Sequence, residues 1–237
     1  MSKLPRLVGS LVLYCLLLRV LCASVVYPLE LLIMSDFPAL TALILAGGQS
    51  SRMGRDKALL SFQGLSFLEN ICLIAQDCAV QVSVITPWPE RYELIIPQCC
   101  RIIREPLPTR GPLLAFALGL TFVSTDWVLL LPCDLPLLTP PIMQEWSRLL
   151  ATVPENAIAL VPRCGSRWEP LCGFYHRRCL DSLQTYIQQG GTSFQKWLNV
   201  SVVEELIIDN SEILFNCNTP EDLEIIINSP DVDSKKP

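Results

Sequence analysis

The chain has 237 residues, of which 51% are hydrophobic and 17% are charged, and its formal net charge is −5. This length is enough for one α/β domain with a sizeable core, and the composition excludes an intrinsically disordered chain. The acidic balance excludes the broad basic surface that non-specific nucleic-acid binding requires, so we expect no nucleic-acid partner.

Within the N-terminal extension at residues 1–33, residues 7–33 are strongly apolar and follow the basic Lys3 and Arg6, a pattern that imitates a signal peptide or a membrane anchor. Arg19 interrupts this run, and a charge near the middle of a lone transmembrane helix is unfavourable. We therefore expect the extension to lie outside the fold, and a genuine membrane anchor stays open as the alternative.

The first element of the domain is an apolar, β-prone run at residues 41–45, which we predict to be a buried strand. It stops at Gly47 and Gly48, and a polar loop with Arg52 and Lys57 follows. Glycine lets the backbone approach a ligand, and successive amide groups in such a loop form a nest for an anion. The loop therefore predicts a cradle for a polyphosphate, with a simple tight turn as the alternative. Its spacing matches neither a Walker A loop nor a dinucleotide fingerprint.

Further elements alternate along the chain. Strands are predicted at 81–86, 101–104, 127–131, 157–161, 169–175 and 202–208, and helices at 65–80, 113–122, 141–150, 176–188 and from Pro220 onward. This alternation predicts a single α/β domain with a Rossmann-like, doubly wound, mostly parallel sheet and helices on both faces.

Asp134 directly follows the apolar strand at 127–131 within the segment P-C-D-L-P. Ligands in doubly wound sheets lie beyond the carboxyl ends of the strands, so Asp134 and the glycine-rich loop are expected to converge. A carboxylate there is a natural ligand for Mg²⁺, which prefers one or two carboxylates together with phosphate oxygens and water. A turn residue is the alternative.

Cysteine usage gives no sign of a zinc site. The eleven cysteines contain no C-x-x-C pair, and His176 is the sole histidine. Several cysteines lie in apolar runs, where a free thiol behaves as a small hydrophobe. We expect reduced thiols, no disulfides and a cytoplasmic location.

The motif at residues 45–57, L-A-G-G-x-S-x-R-M-G-x-D-K, resembles the signature loop of nucleotidyltransferases that join an NTP to a phosphorylated acceptor. Its doubled glycine is similar to that of the molybdenum cofactor guanylyltransferases. The segment C-D-L-P at 133–136 and the closing N-C-N-T-P-E-D at 216–222 resemble two further motifs of that family.

The resemblance implies transfer of GMP from GTP to a molybdopterin-type cofactor, with release of pyrophosphate and with Mg²⁺ bound by Asp134. It implies catalytic roles for Lys57, Arg52 and Asp134. The residues implied to bind nucleotide are Leu45, Ala46, Gly47, Lys57, Glu105 and Asp134. Glu105 replaces the family's usual Asp, and a solvated acid at a strand end is its alternative reading.

The resemblance also suggests molybdoenzymes or cofactor-synthesis proteins as partners. Because family members start a few residues before the first strand, we expect the protein to begin at Met34 and residues 1–33 to be an over-extended reading frame. The predicted organisation is an extension over 1–33, a nucleotidyltransferase domain over 34–229 and a polar tail over 230–237. Two functional alternatives stay open: a cytidylyl- or other nucleotidyltransferase with a different phosphorylated acceptor, and a non-catalytic nucleotide-binding adaptor.

Overall fold

The computed structural model describes residues 38–48, 56–106 and 110–227. The predictions for the extension, the start at Met34 and the polar tail lie outside the described residues, as does Arg52. Within these three ranges, no helix combines the length and the apolar character needed to cross a bilayer.

The described chain builds one eight-stranded mixed sheet, in the order β10-β7-β9-β6-β1-β4-β5 with β8 beside β7, and a small hairpin of β2 and β3. The strands are β1 Leu40–Leu45, β2 Ser61–Phe62, β3 Leu65–Ser66, β4 Gln81–Thr86, β5 Arg101–Arg104, β6 Trp127–Pro132, β7 Ala159–Cys164, β8 Arg167–Trp168, β9 Gly173–His176 and β10 Val203–Leu206.

The centre of the sheet is β1, which is parallel to β4 on one side and to β6 on the other. The chain passes from β1 to β4 and β5 and then crosses back to β6, so the strand order reverses at β1. Such a switch point leaves a crevice beyond the carboxyl ends of the strands. Among the described strands of this sheet, only β8 and β9 run antiparallel to their neighbours: β8 pairs with β7, and β9 pairs with β6 and β7. The predicted mostly parallel, doubly wound sheet is confirmed.

Helices cover both faces of the sheet. They are α1 Phe67–Gln76, α2 Pro89–Tyr92, α3 Pro112–Leu120, α4 Pro140–Arg148, α5 Cys179–Gln188, α6 Phe194–Asn199 and α7 Pro220–Ile227, with 3-10 turns at Lys57–Leu59, Leu149–Thr152 and Ser211–Leu214. Residues of α1 and α4 pack on one face, and residues of α3, α5 and α6 pack on the other. Each face therefore has its own apolar core, as burial of an apolar sheet on both sides requires.

Several element boundaries differ from those predicted. The helix predicted at 65–80 is shorter, because residues 65 and 66 pair with 61 and 62, and Ser66 then caps α1 through a 3.1 Å bond from the Glu69 amide. The strand predicted at 157–161 continues to Cys164, where it pairs with β8. The strand predicted from 169 begins only at Gly173, and the helix predicted from His176 begins at Cys179. Thr139 directly precedes α4 but makes no side-chain capping bond.

Candidate active site

The candidate site lies where β1 and β6 end side by side. The register pairs Leu45 with Pro132, so the residues that follow each of them leave the sheet at the same edge. The Ala46 amide still donates to the Ile85 carbonyl at 2.9 Å, which extends the pairing one residue beyond β1. Beyond this edge is a cavity of about 330 Å³, here called the main cavity. The residues that line it include Leu45, Ala46, Gly47, Gly48, Asp56, Lys57, Glu105, Cys133, Asp134 and Asn216.

Lys57 and Asp134 meet in this cavity although 77 residues separate them in the chain. The Lys57 Nζ donates to Asp134 Oδ2 at 3.0 Å and to Asn218 Oδ1 at 2.6 Å. The side chains of Lys57 and Asp134 are 18% and 14% exposed, so the ion pair is screened far less than one on the surface. The structure thus brings together the lysine and the carboxylate that the resemblance singles out.

Asn218 is held in place by the cap of α7. The Asp222 carboxylate accepts from the amides of Asn218 and Thr219, both at 2.8 Å, while the Asp222 amide donates to Thr219 Oγ1 at 3.2 Å. The Cys217 amide also donates to the Asp134 carbonyl at 3.0 Å. The T-P-E-D sequence therefore starts a helix, as predicted, and also fixes the asparagine that contacts Lys57.

The second carboxylate oxygen of Asp134 is a candidate metal ligand. Asp134 Oδ1 is buried and has no hydrogen-bond partner among the described residues. A buried ionised oxygen without a partner is costly, which suggests that a ligand compensates it. No group of three or more acidic, histidine or cysteine side chains in the described ranges is arranged to hold a metal by itself. A single carboxylate with an open position instead fits Mg²⁺, which takes its other ligands from phosphate and water.

Glu105 lies directly against the glycine turn. It is only 7% exposed, so the alternative of a solvated strand-end acid is wrong. Its backbone amide donates to the Thr86 carbonyl at 2.8 Å, which keeps it in line with β4. Burial raises the pKa of its carboxyl, and a hydrogen bond from the Arg110 amide partly opposes that rise. Glu105 lines the main cavity, and its contact with a nucleotide stays a prediction.

Gly47 lies in a tightly packed part of this turn. A Cβ at Gly47 would lie 3.0 Å from Glu105 Oε2 and 3.3 Å from Pro87 Cδ, whereas a Cβ at Gly48 would meet no described residue within 4 Å. We expect Gly47→Ala to lower the free energy of unfolding by about 1–3 kcal/mol, because overpacking forces neighbours to move. Gly48→Ala is the matched control and should change it by less than about 0.5 kcal/mol. Urea unfolding of both variants tests this, and equal losses would contradict the packing argument.

Asp56 is a site residue that sequence reasoning did not identify. Its carboxylate accepts from the Tyr92 hydroxyl at 2.7 Å and from the Ala58 amide at 3.2 Å, and Arg91 lies 3.5 Å away. These contacts cap the 3-10 turn that begins at Lys57. An Asp two residues before an apolar position signals such a cap, but no local pattern points to Tyr92, which is 36 residues away. Asp56 thereby fixes the backbone of Lys57, the candidate catalytic residue.

We expect Tyr92→Phe to lower kcat about fivefold with little change in KM for the nucleotide. Losing one hydrogen bond to a charged group costs about 1 kcal/mol or more, and here the loss loosens Lys57 rather than a substrate contact. Pyrophosphate release under saturating substrate measures the effect. Ser147→Ala, which removes a buried hydroxyl that donates to the Gln144 carbonyl on α4, should leave kcat unchanged. Equal losses in the two variants would show a general stability effect instead.

A second cavity of about 450 Å³, here called the side cavity, adjoins the main one. The two share Pro132, Leu171 and Asn216 among their lining residues. Trp168 lines the side cavity and is fixed at both ends, by the Gln195 side chain at its backbone and by Asn199 Oδ1, which accepts from its indole at 3.0 Å. The two cavities therefore adjoin near Pro132.

Comparisons with known proteins agree with this architecture. The model of the MobA-like NTP transferase domain matches residues 42–204. Among solved structures, molybdopterin-guanine dinucleotide biosynthesis protein A from Archaeoglobus fulgidus superposes with a TM-score of 0.65 at 20% identity, over 83% of this chain and 100% of that chain. The 2-C-methyl-D-erythritol 4-phosphate cytidylyltransferase from Thermus thermophilus gives 0.58 at 18% identity, over 79% and 96%. These likenesses show the fold.

Sequence relatives are much more similar. A protein of Nostoc sp. (strain PCC 7120 / SAG 25.82 / UTEX 2576) described as a probable molybdenum cofactor guanylyltransferase is 55% identical over 79% of this chain and 90% of its own length. One of the same description from Synechococcus elongatus is 41% identical over 76% and 94%. Since a family model spans more than half of the residues and these relatives are matched over nearly their full length, the chain belongs to the MobA-like NTP transferase family, among the molybdenum cofactor guanylyltransferases.

Proposed function

We propose that this protein transfers GMP from GTP to a molybdopterin-type molybdenum cofactor, giving molybdopterin guanine dinucleotide and pyrophosphate. The observation that carries the proposal is the meeting of Lys57 Nζ and Asp134 Oδ2, 3.0 Å apart, in a cavity walled by the backbone of the glycine turn. The choice of GTP and of the acceptor rests on the relatives, which are described as molybdenum cofactor guanylyltransferases.

The reaction needs two polyanions to be aligned. A phosphate oxygen of the acceptor attacks the α-phosphorus of GTP, a new P–O bond forms, the bond to the bridging oxygen breaks, and pyrophosphate leaves. No covalent enzyme intermediate is required. The main obstacles are charge repulsion and orientation, and holding both reactants in one cleft reduces both. The two adjoining cavities suit this demand, with the nucleotide in the main cavity and the acceptor in the side cavity.

Lys57 is assigned to the phosphates. Its ammonium group is shared between Asp134 and Asn218, so protein groups alone fix its position. A preorganised cation stabilises the charge that develops on the leaving pyrophosphate without reorganising at the moment of reaction. The amides of the glycine turn, and by resemblance Arg52, would neutralise further phosphate charge.

Mg²⁺ is the proposed cofactor, with Asp134 as its protein ligand. The described lining of the main cavity carries the carboxyl groups of Asp56, Glu105 and Asp134, so added positive charge is needed there for a triphosphate. Asp56 is satisfied by Tyr92 and Arg91, and burial raises the pKa of Glu105, which leaves Asp134 Oδ1 as the available oxygen. When bound, Mg²⁺ acts as a Lewis acid that draws charge from phosphate oxygens.

Trp168 is assigned to the acceptor. The pterin of a molybdopterin-type cofactor contains a flat pyrimidinone ring, and aromatic side chains bind such rings by offset stacking or edge contact. Arg163 covers the Trp168 ring with its guanidinium carbon 5.0 Å from the ring centroid, and Arg167 lines the side cavity. These cations would attract the acceptor phosphate.

The test is pyrophosphate release with GTP, CTP or UTP as the nucleotide and molybdopterin cofactor as the acceptor. We expect release with GTP to exceed release with the two pyrimidine nucleotides at least tenfold, and to require added Mg²⁺. Faster release with CTP would support the rival cytidylyltransferase activity. Nucleotide binding in calorimetry without release would support the adaptor alternative. Detection of the dinucleotide product by mass spectrometry separates true transfer from hydrolysis of GTP.

A further inference from the structure

The side cavity contains a carboxylate to which neither the fold nor the proposed chemistry has yet given a role. Among the described residues that line this cavity, the charged ones are Arg167 and Glu169, which flank Trp168 in the chain. The Gln195 side chain is committed to Trp168, because it accepts from the Trp168 amide at 3.1 Å and donates to the Trp168 carbonyl. No described residue donates a hydrogen bond to the Glu169 carboxylate, so its oxygens are available to a ligand.

The backbone around Glu169 is held on both sides. The Glu169 amide donates to the Pro162 carbonyl at 2.8 Å, and the Glu169 carbonyl accepts from the Cys172 amide at 3.2 Å. The next carbonyl in the chain, that of Pro170, accepts from the buried Tyr175 hydroxyl at 2.6 Å. A side chain carried on such a fixed backbone binds a ligand with a smaller loss of conformational entropy than one on a mobile loop.

A carboxylate is unfavourable in a cavity that must admit a phosphate, because like charges repel. Glu169 is also half-buried, and burial raises the pKa of its carboxyl, although Arg167 partly opposes the rise. Both costs fall when a ligand donates hydrogen bonds to the charged form. The ligand that suits this cavity therefore has an anionic part for Arg167 and an uncharged part with N–H donors for Glu169.

We propose that Glu169 is the residue that recognises the pterin ring of the acceptor, an inference that rests on the proposed function. The pyrimidinone edge of a pterin presents a ring N–H and an amino group side by side, and a carboxylate accepts from such a pair with both oxygens. Trp168 then contacts the face of the ring while Glu169 binds its edge. Guanine presents the same two donors, but Glu169 lines the side cavity and is not among the described residues that line the main cavity, which assigns it to the acceptor.

Steady-state kinetics of Glu169→Gln in the full-length protein test the proposal. The amide keeps the size of the side chain but replaces one acceptor oxygen with a donor that faces the donors of the ring. We expect KM for the molybdopterin cofactor to rise roughly tenfold, with kcat and KM for GTP within about twofold of the wild type. Glu169→Asp keeps the charge and should give a smaller rise. Glu204→Gln is the matched control, since this exposed acid on β10 lines neither cavity, and it should change nothing. An unchanged KM for the cofactor, or a rise confined to KM for GTP, would overturn the proposal.

Saturation-transfer NMR with free pterin and with lumazine gives a second readout that needs no turnover. Lumazine carries a carbonyl oxygen where pterin carries the amino group, so it lacks the pair of donors. With excess GTP present, the wild type should transfer severalfold more magnetisation to pterin than to lumazine, and Glu169→Gln should lose this preference while Glu204→Gln keeps it. A wild type without the preference would overturn the role of Glu169 even if guanylyl transfer is found. A clear preference in a protein that releases no pyrophosphate would instead remove the proposed function and leave Glu169 as a pterin-binding residue.

Discussion

Lys57→Ala is expected to lower kcat/KM for guanylyl transfer by about 10³-fold. Removing one preorganised donor from a developing phosphate charge typically costs two to three powers of ten, and Lys57 also fixes Asp134 and Asn218 through bonds of 3.0 and 2.6 Å. Pyrophosphate release with GTP and molybdopterin cofactor measures the loss. If Lys57 has its proposed role, it acts on charge that grows during the reaction, and most of the loss should then appear in kcat.

The matched control for this prediction is Arg101→Ala. Arg101 is an exposed cation at the amino end of β5, at the opposite edge of the sheet from the main cavity, so its removal alters net charge equally and should leave kcat/KM within about twofold. Lys57→Met keeps the aliphatic stem and separates lost charge from lost packing. A near-normal rate in folded Lys57→Ala or Lys57→Met would remove Lys57 from the mechanism.

The sequence predicts best those strands whose continuous apolar runs must be buried on both faces. The continuous apolar runs of β1 and β6 predict strands buried on both faces, and the parallel arrangement then places Lys57 and Asp134 at one edge. The β2–β3 hairpin was not predicted, because strands of two residues are too short to show any periodicity. The helix α6 was also missed, since its six residues show barely more than one turn of an apolar pattern.

The sequence does not predict the direction of β9. Its apolar residues predict a buried strand but carry no signal for whether that strand is parallel to its neighbours. The chain reaches β9 from β7 through the short β8 hairpin rather than through a helix, so β9 runs antiparallel to β6 and β7. Only the small spacing between the two predicted strands hints at this, because a parallel crossover needs a dozen or more residues.

The candidate site also has a part that the sequence predicts and a part that it does not. The positions of the glycine turn and of Asp134 follow from the strand ends and from the resemblance, whereas the contacts that support them join distant segments of the chain. The bond from Tyr92 to Asp56 and the close approach of Glu105 to Gly47 join segments whose separation carries no periodic signal. The unpartnered oxygen of Asp134 is likewise a property of packing, because the burial of this carboxylate cannot be read from the residues next to it in the chain.

Asp134→Asn is expected to lower kcat/KM by about 10³-fold or more while the melting temperature in metal-free buffer changes by only a few degrees. An asparagine oxygen still accepts from Lys57, as Asn218 already does, and the change removes the burial cost of the unpartnered, charged Oδ1. Loss of the ion pair with Lys57 lowers stability and removal of the buried charge raises it, so the two effects oppose each other. Nothing offsets the loss of the proposed metal ligand. Activity and thermal melts measured on the same samples therefore separate the catalytic from the structural role of this carboxylate.

Ligand-induced stabilisation gives the sharper readout. With GTP present, Mg²⁺ at ten times its Kd should stabilise the wild type by about 1.4 kcal/mol, or roughly 3–6 °C in melting temperature for a domain of this size. Asp134→Asn should lose most of this shift. The matched control is Asp126→Asn, which alters the exposed acid directly before β6 rather than the one that follows the strand, and should keep both the shift and the activity. If Asp134→Asn kept the full Mg²⁺ shift, the metal would be bound elsewhere, and Asp134 would act only by orienting Lys57.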